Sequence, residues 1–232
     1  MGIAYCWGSN SYGQLGDGRI ADSYQPVAVA SDSTFSSIAS MRYHTCALTG
    51  SGTAYCWGLN NYGQLGDGST ADSGTPVAVV GDLSFTSLTT GYYHTCGLTG
   101  SGAAYCWGRN SSGQLGTSSY SSSTTPVAVS GNLGFDALAA SDDHTCGLTA
   151  SGAAYCWGAN YSAQLGNSSF RSNPAPIAVP GGLSFTALDT GAGYTCGLTS
   201  SGVVYCWGDN HSGQLGRGTF SYSPVPVVVE GF

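Results

Sequence analysis

Apolar and small polar positions alternate in short runs along this chain. Phe35 to Ser40 reads F-S-S-I-A-S, and the run from Phe85 to Leu88 reads F-T-S-L. His44 to Leu48 and Ala54 to Trp57 alternate in the same way, as does Pro76 to Val79, whose proline stands first, where a missing N–H is tolerated. A period of two predicts half-buried β-strands, and the Gly, Ser, Asn and Asp between the runs predict turns. No stretch sustains a period of 3.6, so helix is expected to be nearly absent. The pattern returns every 50 residues: Tyr-Cys-Trp-Gly begins at Tyr5, Tyr55, Tyr105, Tyr155 and Tyr205. A repeat of this length is one supersecondary unit that buries its core by stacking on its neighbours. Four short antiparallel strands per period describe a β-propeller blade. The expected fold is therefore all-β, one array over residues 1–232. It comprises a half blade at 1–30, with strands near Ile3–Gly8 and Gln25–Ala30, then blades at about 34–80, 84–130, 134–180 and 184–230.

The nine cysteines follow the same period. Cys46 and Cys56 are ten residues apart, as are Cys96 and Cys106, Cys146 and Cys156, and Cys196 and Cys206. Each pair flanks a turn such as Gly50-Ser51-Gly52. A hairpin about that turn sets the two cysteines opposite one another, at a Cα separation of about 4.5–5.5 Å. Four cross-strand disulfides are expected, and with them an oxidising, extracellular or cell-surface compartment. The alternative is a set of inert buried thiols; zinc would need Cys-x-x-Cys or Cys/His clusters, which are missing. Cys6 lacks a counterpart ten residues upstream and is expected to be unpaired.

Composition narrows the function classes. Charged residues make up 7 %, the net charge is −7, and all five cations are arginines. Arg19, Arg42, Arg109, Arg171 and Arg217 are scattered, whereas phosphate neutralisation needs clustered cations, so nucleic acid is not an expected partner. Anionic membrane surfaces are disfavoured for the same reason, and no apolar run approaches the roughly 20 residues that span a bilayer. Met1-Gly2-Ile3-Ala4 leads straight into a repeat, so no signal peptide is read there. No nucleophile elbow, phosphate loop or dinucleotide fingerprint occurs, and no carboxylate pair is set up for acid–base work; the chain reads as non-enzymatic, without cofactor.

The order Gly-x-Asn-x-x-Gly-Gln-Leu-Gly, Pro-Val, His-Thr-x-x-Leu-Thr and Gly-x-x-Tyr-x-Trp-Gly resembles the repeat of the regulator of chromosome condensation family, and it does so over the whole chain. The resemblance implies a propeller, usually seven-bladed, with the strand at Phe35 innermost and the Pro-Val strand outermost. It also implies that His44, His94 and His144 are scaffold residues; no metal is expected there, since the fourth equivalent is Tyr194. The paired cysteines and the number of units depart from the family pattern. The chain reads first as an excerpt of a longer array and second as a unit completed by another copy through its open edges.

Function is sought where the copies differ. Trp57, Trp107, Trp157 and Trp207 recur and read as packing between blades, with Gln64, Leu65 and their counterparts anchoring the seam. Variation falls between the first two strands, at Arg42-Tyr43, Tyr92-Tyr93 and Asp142-Asp143, and between the last two, at Tyr120, Phe170 and Phe220. Asp142 and Asp143 read as solvated. Alternating strand direction puts both loop sets on one face and the uniform Gly-Ser-Gly turns on the other. Loops on a rigid scaffold commonly carry recognition, and Tyr and Arg are favoured anchors. The expected function is binding of a protein partner, or of the chain itself. Carbohydrate binding is a second reading, and nucleotide exchange on a small GTPase, implied by the resemblance, a third.

Overall fold

The computed structural model describes residues 2–231; Met1, where the reading of the chain start begins, and Phe232 lie outside the described residues. Strands β1 (Tyr5–Gly8) and β2 (Ser23–Ala28) pair antiparallel. Four antiparallel four-stranded sheets follow. They are β3 (Phe35–Ser40), β4 (His44–Thr49), β5 (Ala54–Gly58) and β6 (Ser73–Ala78); β7 (Phe85–Thr90), β8 (His94–Thr99), β9 (Ala104–Gly108) and β10 (Ser123–Ala128); β11 (Ala137–Ala140), β12 (His144–Leu148), β13 (Ala154–Gly158) and β14 (Asn173–Ala178); β15 (Phe185–Gly191), β16 (Tyr194–Thr199), β17 (Val204–Gly208) and β18 (Ser223–Val228). Strand order within each sheet follows the chain, and no helix occurs among the described residues. The first strands β3, β7, β11 and β15 pack on one another in succession, which makes them the inner rim and the last strands the outer one.

The last strands begin earlier than the alternation suggests. Strand β6 starts at Ser73, so Pro76 sits inside it rather than at its head. The ladder explains this. Val77 opposes Cys56 and Ser73 opposes Gly58, so three residues of β6 bulge past Trp57 alone. Within that bulge the proline nitrogen has no ladder bond to lose. The same irregularity recurs at Pro126 in β10, between Ser123 and Val127.

Cys46 opposes Cys56 in the ladder, and the same holds for the other three pairs. All four are disulfide-bonded, with Cα atoms 4.0–4.1 Å apart. Cys6 is free and half-buried, and burial pushes its thiol upward from the ordinary range.

Each seam between sheets is built the same way. The Trp107 indole is fully buried against Cys46, Leu48, Ala54, Leu65 and Phe85, which mixes residues of two sheets. Its Nε1 donates to the main-chain carbonyl of Gln64 at 3.0 Å, and Thr95 Oγ1 donates to that same oxygen at 2.8 Å. With its proton committed, Thr95 accepts from His44 Nε2 at 2.8 Å, so the imidazole is neutral with Nδ1 bare. The set repeats at Gln114 with Trp157, Thr145 and His94, and at Gln164 with Trp207, Thr195 and His144. Tyr194 stands at the fourth histidine position. Beside each indole a glycine is required: at Gly66, φ is +73° and a Cβ would lie 2.6 Å from Trp107 Nε1.

Two predictions follow from the seam. Burial lowers His44 and His94 to about 3 and His144 to about 4, from 6.5. Above pH 6.5 both folded and unfolded chains hold these rings neutral, so they add no pH dependence. As pH falls below 6.5 only the unfolded chain takes up the protons, and each histidine removes about 1.4 kcal/mol of stability per pH unit until its folded value is reached. Urea midpoints are expected to fall steeply between pH 6.5 and 5; equal midpoints at pH 7.5 and 5 contradict the assignment. Separately, Gly66→Ala is expected to cost about 2 kcal/mol or more, through strain and the indole clash. Gly68→Ala, at φ +84° with open space around it, isolates the backbone part, and equal losses for the two show the indole contact to be unimportant.

Candidate functional site

Register decides which variable side chains meet. The turn at Asn60 to Leu65 is pinned internally: Asn60 Oδ1 accepts from Leu65 N, and its Nδ2 donates to the carbonyls of Ser69 and Ala71. The pinned turn lies against the loop between the first two strands of the next sheet, because the Gln64 carbonyl fixes that sheet 31 residues on. Tyr62 therefore meets Tyr93, and Tyr12 meets Tyr43, at centroid distances of 5.3 and 5.6 Å.

The result is a continuous aromatic layer drawn from consecutive repeats. Tyr43 stacks on Tyr93 at 5.4 Å and 20° between planes. Tyr92 packs edge-on to both, at 6.1 Å from Tyr43 and 6.4 Å from Tyr93. Two guanidinium groups close over the rings: Arg42 lies 5.3 Å from Tyr43 and 5.7 Å from Tyr92, and Arg109 lies 5.4 Å from Tyr62 and 5.5 Å from Tyr93. Such contacts bias the side chains toward one arrangement before a partner arrives. Burial and then Tyr43 push the Tyr93 phenol above its ordinary range.

Acidic groups border the layer. Arg109 reaches Asp143 at 3.7 Å, and Gln114 Nε2 donates to the same carboxylate at 2.8 Å. Asp142 and Asp143, read from sequence as solvated, are both half-buried. Burial raises the Asp142 carboxyl, against the pull of the neighbouring Tyr92 hydroxyl and Arg42; its Oδ1 is buried without a hydrogen-bond partner.

The structure thus brings together Arg42, Tyr43, Tyr92, Tyr93, Asp142 and Asp143. It adds Tyr12, Tyr62 and Arg109, which repeat comparison alone passed over. Tyr120 and Phe220 are exposed and form no aromatic pair among the described residues, while Phe170 joins a different group with Tyr222, 5.3 Å away. The opposite face carries turns such as Thr49–Thr53, where Thr49, Ser51 and Thr53 bond among themselves. His44, His94 and His144 are spent on the seam, and no group of three or more metal-ligating side chains gathers among the described residues. Among the described residues no helix is long and apolar enough to cross a membrane.

Comparison with known proteins places this architecture. The chain is similar in structure to human WBSCR16, with a TM-score of 0.87, 23 % identity, and coverage of 98 % of this chain and 62 % of that one. Prp20p of Saccharomyces cerevisiae, whose structure was described with its binding properties to Gsp1p and histones, matches with a TM-score of 0.85, 22 % identity and coverage of 99 % and 59 %. The ectodomain of the Physcomitrella patens receptor kinase CR4 matches with a TM-score of 0.60, 25 % identity and coverage of 90 % and 47 %. This chain accordingly spans less than two thirds of the length of these solved relatives. No curated protein sequence matches it. The Regulator of chromosome condensation (RCC1) repeat matches at residues 1–48, 51–98, 101–148, 151–198 and 201–232, so the chain belongs to the RCC1 repeat family.

Proposed function

We propose that the chain is a non-enzymatic recognition module of an oxidising, extracellular setting, and that it binds a protein partner through the tyrosine–arginine layer. One observation carries it: five tyrosines and two arginines from consecutive repeats are already packed together on the variable face. Tyr and Arg are enriched in binding hot spots: Tyr buries much area with few rotatable bonds, Arg offers a planar fork of donors, and prior packing lowers the ordering cost. The binding of Prp20p to Gsp1p and histones supports a protein as the partner class for such a propeller. The four disulfides, and likeness to the ectodomain of a receptor kinase, support the extracellular setting. They argue against nucleotide exchange on a small GTPase, which belongs to a reducing compartment.

The test is capture from the native extracellular milieu with mild cross-linking. Wild type is run beside an Arg42→Ala/Tyr93→Ala variant and a Ser101→Ala/Ser151→Ala variant of the opposite face. A protein held by wild type and the opposite-face variant, and reduced at least tenfold with the layer variant, is the expected result. Equal retention by all three overturns the reading.

A second reading rests on the exposed edge of β1. Trp7 is 63 % exposed where the four equivalent tryptophans are fully buried, and Ile38 is 48 % exposed beside it. We infer that a second copy covers this edge, since the seam is self-complementary from one repeat to the next. Light scattering is expected to show multiples of the chain mass, reverting to one chain mass in Trp7→Ser; a wild type of single mass at high micromolar concentration refutes it.

A further inference from the structure

A second variable cluster lies apart from the tyrosine–arginine layer, at the seam between the last two sheets. Tyr161, Ser162 and Phe170 of one repeat face Asp209, His211 and Tyr222 of the next across a cleft of about 350 Å³. That volume lies within the range of about 300–1,000 Å³ typical of small-molecule sites. The Phe170 and Tyr222 rings stand 5.3 Å apart at 89° and form a corner of two perpendicular apolar walls. Tyr161, 73 % exposed, adds a third ring.

The polar side of the cleft is organised from within the turn. His211 Nδ1 donates to Asp209 Oδ1, and Gln214 Nε2 donates to Asp209 Oδ2 at 3.0 Å. Partial burial works against the Asp209 charge, but the hydrogen bonds from His211 hold its carboxyl below the ordinary range. Two consequences follow for a ligand. Both carboxylate oxygens already accept hydrogen bonds within the turn, so the acid is held in place rather than presented to a guest. With Nδ1 turned to Asp209, His211 Nε2 is left to meet a hydroxyl, as acceptor from the neutral ring or donor from the charged one, with Ser162 Oγ as a further donor or acceptor.

This chemistry occurs at one seam. The positions of His211 and Tyr222 hold Tyr161 and Ser172 one repeat earlier, and Ser111 and Ser122 before that. A periodic sugar site is absent from the sequence for that reason, but a single site needs no period.

We infer that this cleft is a binding site for a neutral hexopyranose, such as a terminal residue of a glycan. The apolar C–H face of the sugar stacks on an exposed ring, a second ring packs at right angles along its edge, and its hydroxyls meet His211 Nε2 and Ser162 Oγ. Neutral polyol chemistry matches a cleft whose rings are wide open to water and whose one carboxylate is held by hydrogen bonds within its own turn. The inference is independent of the protein-recognition reading, since it uses none of the same residues.

The test is titration of the tyrosine-ring-labelled chain with methyl glycosides of glucose, galactose, mannose and N-acetylglucosamine, followed by NMR. At least one is expected to bind in the millimolar range and to shift the Tyr161 and Tyr222 ring signals. Tyr161→Ala and Tyr222→Ala are expected to weaken it at least tenfold, and His211→Gln severalfold. Tyr24→Ala, altering a residue 96 % exposed elsewhere, leaves it unchanged. Silence with all four glycosides, binding that survives loss of both rings, or shifts produced only by aromatic or proline-rich peptides overturns the inference.

Discussion

One main-chain carbonyl per repeat holds this structure in register. The oxygen of Gln14, Gln64, Gln114 or Gln164 accepts from the threonine 31 residues on and from the indole 43 residues on, both in the next sheet. Two donors converging on one oxygen in a dry seam leave little freedom to slide or rotate. Burying an indole contributes about 4–6 kcal/mol of gross hydrophobic free energy, but that term is non-directional. The paired hydrogen bonds supply the direction. A buried carbonyl, indole N–H or hydroxyl left unmatched by a slipped sheet would cost about 1–3 kcal/mol each.

The constraint also separates scaffold from surface. The residues that build the seam recur at each step: Asn, Gln, Leu, Gly, Thr, Trp and, at three positions, His. Their demands end at the turn tips. Asn60 ties its loop to the carbonyls of Ser69 and Ala71, so the side chains between face outward on a backbone that is already fixed. Substitution there costs the fold little, which is why chemistry accumulates at those tips.

Much of this was legible in sequence. The 50-residue period and the two-residue alternation give four strands per unit, and the ten-residue cysteine spacing places each pair opposite in the ladder. Other features were hidden because they arise between repeats. Tyr12 and Tyr62 look unremarkable within their own copies and join the layer because the seam offset is 31 residues rather than the period of 50, and Arg109 joins it through Tyr93 of its own repeat. Pro76 looks like a strand head until the bulge opposite Trp57 is seen. Asp142 looks solvated until Tyr92 and Arg42 close beside it. The offset was itself discoverable, had the recurring Gln and Thr been paired across repeats instead of aligned on one another.

The seams also govern how a repeat protein of this kind acquires distinct sites. A site at a seam takes half its residues from one copy and half from the next, so its character depends on a pair of tips, neither of which suffices alone. Tyr62 beside Tyr93 and Arg109 makes an aromatic–cationic layer; Tyr161 beside His211 and Tyr222 makes an open cleft beside a hydrogen-bonded acid. Both rest on an identical seam geometry, with the Trp Nε1 to Gln carbonyl distance held at 2.9–3.0 Å throughout. A change at one tip therefore alters the seams it borders and leaves the more distant ones intact, because the carbonyl clamp between them does not sense what the tips carry. Functional divergence along the array is in this way decoupled from its stability, and neighbouring seams need not bind the same class of ligand.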